Sequence, residues 1–214
     1  MQATIPRVLK EIIRNTPAYD ALRRVRSRVD YLKWDKRSLP PPHYAKQRVV
    51  LEYAKEYGCE ALIETGTYLG FMVEAMQKHF KKIVSIELDP ILCQNAVRKF
   101  RKCQHVSIHQ GDSAKLLSQV LKSISVSSCL FWLDGHYSGG STAKAERETP
   151  ILAELQAIFR YTKCPVILID DARLFTGDRD YPSLETVHII ANKERFFFAN
   201  RDDVIRLTPT TAGV

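Results

Sequence analysis

Five places in the sequence where an apolar run ends carry an acidic side chain. Carboxylates at such positions can accept hydrogen bonds from hydroxyl and amino groups, or bind a cation. A single carboxylate is equally well explained as the cap of the following helix, but five in succession are better explained by one ligand cleft. The side chains concerned are Glu64, Glu87, Asp112, Asp134 and the pair Asp170-Asp171.

The segments that must position these acids alternate regularly. Five short apolar segments, each followed by a helix-sized segment, predict a mostly parallel sheet covered by helices on both faces. Ligands of such sheets bind beyond the carboxyl ends of the strands. We therefore predict a doubly wound, Rossmann-like α/β fold of seven strands that ends in an antiparallel hairpin. The predicted strands are 61–64, 82–87, 106–109, 129–134, 166–170, 196–199 and 204–207.

The loop after the first predicted strand contains two glycines. The first glycine permits a tight turn, and the second permits close packing of helix and strand. The central glycine of the dinucleotide fingerprint is missing and a tyrosine stands in the loop, which disfavours a pyrophosphate ligand. The residues expected to contact a cofactor here are Glu64, Thr65, Gly66, Thr67, Tyr68 and Gly70.

Two further acidic residues indicate the chemical identity of the expected cofactor. Glu87 follows Glu64 by 23 residues, where an acid can accept hydrogen bonds from both hydroxyls of a ribose. Asp112 and Ser113 lie in a turn that can bind the amino group of an adenine. A cofactor with ribose and adenine but no phosphate is S-adenosylmethionine.

Residues 59–207 resemble the class I S-adenosylmethionine-dependent methyltransferases. They are similar, more narrowly, to the metal-dependent O-methyltransferases of the macrocin O-methyltransferase type, which act on sugar hydroxyls of natural products. Glu64, Gly66 and Gly70 match the acid-x-Gly loop of that family, Glu87 its ribose acid, and Asp112 its adenine-side acid. The resemblance implies methyl transfer to a hydroxyl of a small molecule, such as a sugar or a glycosylated metabolite.

The resemblance also implies a metal site, formed by Asp134, Asp170 and Asp171. Three converging carboxylates repel one another unless a cation binds or one of them is protonated. Ligation by oxygen alone suits Mg²⁺, and a hydroxyl bound to that metal loses its proton more easily.

His136 and Asp134 are the residues expected to take part in catalysis, and Asp134 is also expected at the cofactor. His136 can act as general base for the hydroxyl proton; alternatively, it orients Asp134 or is a further metal ligand. Tyr137 and Lys144 are candidate substrate contacts on a small-residue loop interpreted as a lid. Arg173 is expected to bind an anionic substrate or to neutralise the acidic cluster.

The basic charge of the chain is confined to its N-terminal part. The net charge is +8, and residues 1–48 alone carry twelve basic and four acidic side chains. We predict a helical appendage over residues 1–43, ended by Pro40-Pro41-Pro42, and a methyltransferase domain over residues 44–214. The apolar stripe Tyr19, Leu22, Val25, Val29 and Leu32 is expected to pack on the domain or on a second subunit of a homo-oligomer, or else the helices contact anionic lipid or an acidic partner.

Composition excludes several classes of protein. Apolar residues make up 45% and charged residues 26% of the 214 residues, as in soluble globular chains and unlike disordered or fibrous ones. Apolar runs are strand-sized, so no membrane-spanning segment is expected. The five cysteines have no metal-binding spacing, and with no secretory signal they predict a cytoplasmic protein.

Two alternatives to a small-molecule methyltransferase remain. A nucleic-acid methyltransferase is suggested by the charge, but the segment after the fourth strand lacks the prolines that grip a base nitrogen, and residues 49–214 are neutral overall. The second alternative is a non-catalytic protein with this fold that docks through its basic helices.

Overall fold

The strands form one mixed sheet of the predicted kind. A computed structural model describes residues 16–124, 128–135, 149–178 and 180–210. Its seven strands, numbered β1 to β7 along the chain, lie in the sheet in the order β3-β2-β1-β4-β5-β7-β6. Only β7 is antiparallel to the other strands. The predicted fold class is confirmed. The strands are β1 Ala61–Thr65, β2 Lys82–Glu87, β3 Val106–Gln110, β4 Cys129–Leu133, β5 Val166–Ile169, β6 Phe196–Arg201 and β7 Val204–Pro209.

Helices precede the sheet and connect its parallel strands. The helix after β1 ends at Met76, earlier than the expected end near Phe80, because the chain tightens there into a turn in which His79 N donates to Met76 O. The described helices are α1 Pro17–Lys33, α2 His43–Glu56, α3 Phe71–Met76, α4 Pro90–Phe100, α5 Ser113–Ser123, α6 Ile151–Tyr161 and α7 Leu184–Lys193, with a short 3₁₀ turn at Ala172–Leu174.

The core consists of two apolar layers, one on each face of the sheet. Side chains alternate across a strand, so Ile63 lies in one layer while its neighbour Leu62 lies in the other. Trp132 is fully buried in the second layer, together with the inner face of α2. Strands buried on both faces are what the near-continuous apolar runs predicted.

The strand register aligns the acidic ends of the central strands. Thr65 is paired with Ile86 on β2 and with Leu133 on β4, and Leu133 is paired with Ile169 on β5. One residue further along, Gly66, Glu87, Asp134 and Asp170 therefore stand at the same level. The predicted acidic edge follows directly from this register.

Helix α1 begins as the sequence indicates. The hydroxyl of Thr16 accepts a hydrogen bond from Tyr19 N, and Pro17 occupies the first turn. Polar contacts join α1 to the rest of the chain: Arg24 forms an ion pair with Glu74, Asp20 Oδ2 lies 2.8 Å from Lys99 Nζ, and Tyr44 N donates to Ser27 Oγ.

The apolar stripe of α1 faces away from the domain, so the expectation that it packs on the domain is wrong, whereas packing on a second subunit stays a prediction. Leu22, Val25 and Leu32 are 66%, 60% and 82% exposed. The reason is that Asp20, Arg24 and Ser27, spaced three to four residues apart, occupy one face of the helix and find charged or polar partners on the domain. Among the described residues, no helix is long and apolar enough to cross a membrane.

Candidate active site

Glu64 lies deep beneath the first loop rather than on its surface. It is 2% exposed and stands opposite Ser85 in the β1–β2 register, so the Ser85 hydroxyl donates to its carboxylate. Thr67 Oγ1 lies 2.6 Å from Ser85 Oγ and completes this chain of hydrogen bonds. Burial raises the pKa of the Glu64 carboxyl well above its ordinary value, an effect that the Ser85 hydrogen bond opposes and that the charges of Asp134 and Glu87 reinforce.

Glu87 anchors the loop from the neighbouring strand. Tyr68 N donates to its Oε2 at 2.7 Å, and Asp89 N donates to its Oε1 at 3.0 Å. Burial raises the pKa of the Glu87 carboxyl, whereas the two backbone hydrogen bonds lower it. Each carboxylate oxygen has a second lone pair, so Glu87 can still accept from the two hydroxyls of a ribose.

Both glycines of the loop are required by close approach. A side chain at Gly66, where φ is +85°, would collide with the backbone carbonyl of Asp134. A Cβ at Gly70 would lie 2.7 Å from the Phe100 ring. Tyr68 also has positive φ and is 37% exposed, which leaves its ring at the surface of the cleft.

Thr65 joins the loop after β1 to the end of β4. Its carbonyl accepts from Asp134 N at 3.0 Å. Its hydroxyl is buried and has no hydrogen-bond partner among the residues that the structure describes.

Asp112 caps helix α5, which is one of the two roles that the sequence allowed for it. Its Oδ1 accepts from Ala114 N at 3.0 Å at the start of α5, and Gly111 N donates to Glu87 O. Ser113 follows in the first turn and is buried. The turn is thus joined to the Glu87 strand end, so an adenine bound there would lie beside the ribose acid.

The carboxylates after β5 are already occupied by a cation from the chain itself. Lys46 reaches from the first turn of α2, and its Nζ lies 2.6 Å from Asp170 Oδ2 and 3.1 Å from Asp171 Oδ1. Burial alone would lower the pKa of the Lys46 ammonium, but the charges of Asp170, Asp171 and Asp134 raise it above its ordinary value. Lys46 therefore pairs with two of the three predicted metal ligands, and the charge of the third, Asp134, acts on it as well.

Arg173 neutralises the same cluster from the other side. Its Nη1 donates to Asp171 Oδ1 at 2.8 Å and forms an ion pair with Asp203. Asp203 lies in the turn directly before β7, the strand antiparallel to β5, so it reaches the carboxyl edge of the sheet, where it also accepts from Arg173 N. The contacts of Arg173 therefore favour neutralisation of the acidic cluster over binding of an anionic substrate.

The arrangement of the predicted metal ligands does not fit Mg²⁺. Asp170 Oδ1 accepts from Asp171 N, and Oδ2 accepts from Lys46. Mg²⁺ binds oxygens at 2.0–2.1 Å in a near-ideal octahedron, so an ion on Asp170 and Asp171 would lie beside the Lys46 ammonium, whose positive charge repels it. Among the described residues, no group of three His, Cys, Asp or Glu side chains is arranged to hold a metal ion.

Two of the functional residues were not singled out by sequence reasoning. Lys46 was counted with the basic N-terminal segment, although it lies three and four residues before Val49 and Val50, on the buried side of the same helix. Asp203 was assigned only to a polar turn. His136, Tyr137 and Lys144 lie outside the described residues.

Comparison with known proteins identifies the class of fold. No protein-family model and no curated protein matches the chain. Solved structures do match it. A Podospora anserina methyltransferase bound to S-adenosylhomocysteine shares 15% identity over 98% of this chain and 100% of its own, with a TM-score of 0.59. The O-methyltransferase TomG of Streptomyces achromogenes, in complex with S-adenosylmethionine, shares 11% identity over 98% and 93%, with a TM-score of 0.57.

A third similar structure has a different acceptor chemistry. The N-methyltransferase NodS of Bradyrhizobium japonicum shares 13% identity over 78% of this chain and 97% of its own, with a TM-score of 0.55. The chain therefore has the fold of the class I S-adenosylmethionine-dependent methyltransferases. Because both O- and N-methyltransferases share this fold, it does not by itself identify the acceptor.

Proposed function

We propose that the protein is an S-adenosylmethionine-dependent methyltransferase that acts on a hydroxyl of a small molecule. The observation that carries the proposal is the geometry of Glu87, a buried carboxylate held by Tyr68 N and Asp89 N at the level of the Gly66 turn. A carboxylate in this position can accept hydrogen bonds from the hydroxyls of a ribose, and the adjoining loop lacks the central glycine of the dinucleotide fingerprint. The likeness in fold to methyltransferases solved with this cofactor or its product supports the proposal.

The residues divide the cleft into two halves. Glu87, the loop from Glu64 to Gly70 and the turn at Asp112 would hold the cofactor, whose sulfonium supplies the methyl group. In the reaction the acceptor oxygen bonds to the methyl carbon, the carbon–sulfur bond breaks with its electron pair left on sulfur, and the hydroxyl proton passes to His136, the base predicted from the sequence. Asp134 and Asp170 adjoin the cofactor half, because Gly66 packs on the backbone of Asp134.

Calorimetry with S-adenosylmethionine is the first test of this function. We expect the wild-type chain to bind the cofactor with one site, and no binding would refute the proposal. A panel of sugars, glycosylated metabolites, phenols, amines and RNA, assayed by release of S-adenosylhomocysteine, then identifies the acceptor. Turnover on RNA alone would favour the nucleic-acid alternative, and tight binding with no turnover on any acceptor would favour a non-catalytic protein.

Dependence on Mg²⁺ and a sugar acceptor are finer predictions that come from the resemblance alone. The ammonium of Lys46 at Asp170 and Asp171 argues against the metal. Turnover measured after dialysis against a chelator, and again with Mg²⁺ added back, decides this point, because a metal-dependent enzyme loses activity in the first condition and regains it in the second.

A further inference from the structure

The packing of α2 fixes the position of Lys46, whose side chain is not a freely moving one at the surface. Helix α2 buries Ala45, Val49 and Val50 against the sheet, and these residues fix the rotation of its first turn. The Lys46 side chain is only 12% exposed, in contrast to Lys55 on the same helix, which is exposed. A buried lysine is retained only where its charge is paired.

The contacts of Lys46 are those of a cation that bridges two ligands. One ammonium donates to Asp170 Oδ2 and to Asp171 Oδ1, and the Asp134 charge acts on it as well. Arg173 supplies a second cation to Asp171. Asp170, which is 2% exposed, has no other cation within ion-pair distance among the described residues, so Lys46 is the cation that pairs with it at this edge.

We propose that Lys46 is a positioning residue that supplies, as a fixed part of the chain, the positive charge that the sequence resemblance assigned to a divalent metal. It holds Asp170 and Asp171 at the acceptor side of the cleft and prevents a divalent cation from binding there. This inference rests on the proposed function for its role in methyl transfer, but the exclusion of the cation is a property of the chain alone.

Binding of Mn²⁺, followed by the electron paramagnetic resonance of the free ion, tests the exclusion without any acceptor. We expect no saturable Mn²⁺ site on the wild-type chain below millimolar concentration. Lys46→Met removes the ammonium and keeps the length and apolar stem, so it should bind Mn²⁺ at least tenfold more tightly. Lys46→Arg should bind no better than the wild type, and Lys55→Met, on the exposed side of α2, is the matched control.

The double variant Lys46→Met/Asp170→Asn locates the site. It should lose the Mn²⁺ affinity gained by Lys46→Met. Because it also removes the carboxylate left unpaired, it should fold even if the single variant does not; thermal melts with and without Mn²⁺ show whether the single variant is rescued by the ion. A folded Lys46→Met chain that gains no Mn²⁺ affinity would overturn the proposal.

A wild-type site for Mn²⁺ that Asp170→Asn abolishes would equally overturn it and restore the metal-dependent alternative. Cofactor calorimetry on the same samples separates this inference from the proposed function. A wild-type chain that binds neither Mn²⁺ nor S-adenosylmethionine refutes the methyltransferase function while the exclusion of the cation stands. A wild-type chain that binds both refutes only the role of Lys46.

Discussion

At the scale of single residues, each acid at the sheet edge has a different electrostatic environment. Glu64 is buried and accepts a hydrogen bond from the Ser85 hydroxyl. Glu87 accepts from two backbone amides, and Asp170 accepts from the ammonium of Lys46. Acids of the same type can therefore serve as loop support, cofactor acceptor and counter-ion, because their partners differ.

Replacing Glu87 by glutamine tests its role as the ribose acceptor. The amide keeps the shape but loses the charge, and its NH₂ group replaces one of the two oxygens that accept from backbone N–H groups. Since hydrogen bonds to a charged group contribute about 1.5–3 kcal/mol each, we expect about 10- to 100-fold weaker binding of S-adenosylmethionine. Calorimetry measures this, with the exposed Glu60→Gln as control. Equal affinity in the two variants would show that Glu87 does not contact the cofactor.

His43 gives a prediction about pH. Burial, with smaller contributions from Lys46 and Arg23, lowers the pKa of His43 from 6.5 to about 4. Between these pH values the unfolded chain binds a proton at His43 that the folded chain does not, so the free energy of unfolding falls as the pH falls. The loss attributable to this group approaches about 3 kcal/mol near pH 4.

The comparison with His43→Gln isolates this effect, because other groups also titrate in the same range. Urea unfolding at pH 7.5, 6 and 5 should show the wild type losing stability relative to the variant as the pH falls. Parallel stability curves for the two proteins would contradict the assignment.

At the scale of elements, the loop between β1 and α3 is shaped by contact with β4. Gly66 allows the loop to touch the backbone of Asp134, where any side chain would collide. The loop that carries the predicted cofactor residues and the chain after β4 are therefore in contact through backbone atoms, and we expect a displacement of one to move the other.

The pair Gly66→Ala and Gly58→Ala separates this contact from backbone strain. Both glycines have positive φ, but a Cβ at Gly58 meets nothing within 4 Å. Gly58→Ala should cost about 1–2 kcal/mol of stability and leave cofactor affinity unchanged. Gly66→Ala should cost more and weaken S-adenosylmethionine binding at least tenfold. Urea unfolding and calorimetry measure the two effects, and cofactor binding unchanged in Gly66→Ala would show that the contact does not shape the site.

At the scale of the whole molecule, α1 attaches to the domain through charged, polar and aromatic contacts rather than through its apolar stripe. Arg24, Asp20 and Ser27 contact Glu74, Lys99 and the start of α2, while Leu22, Val25 and Leu32 remain exposed. The attachment also places α1 beside the first turn of α2, which carries His43 and Lys46.

A pair of valine substitutions tests this orientation. Val25, which is 60% exposed, should tolerate alanine within about 0.5 kcal/mol. Val50 on α2 is fully buried, so Val50→Ala should cost about 2 kcal/mol, from the two lost methyl groups and the cavity they leave. Chemical denaturation gives both values. A loss from Val25→Ala as large as that from Val50→Ala would mean that the stripe is buried in solution.

The sequence by itself determined the sheet, its hairpin and the acidic edge. Apolar runs buried on both faces specify parallel strands, and the residue after each strand is fixed in place by the register. Capping at Thr16 and Asp112 depends on residues two or three positions away, so the sequence offered both residues as caps, although it left a ligand role open for Asp112.

Only the tertiary structure decided how the acids are neutralised and which way α1 faces. Lys46 lies 124 residues before Asp170, and Asp203 reaches Arg173 across 30 residues. No local pattern encodes such pairings, because they arise only when α2 packs across the sheet and β7 returns beside β5. The apolar stripe of α1 can likewise be identified from the sequence, but which way it faces depends on the charged partners that α3 and α4 supply.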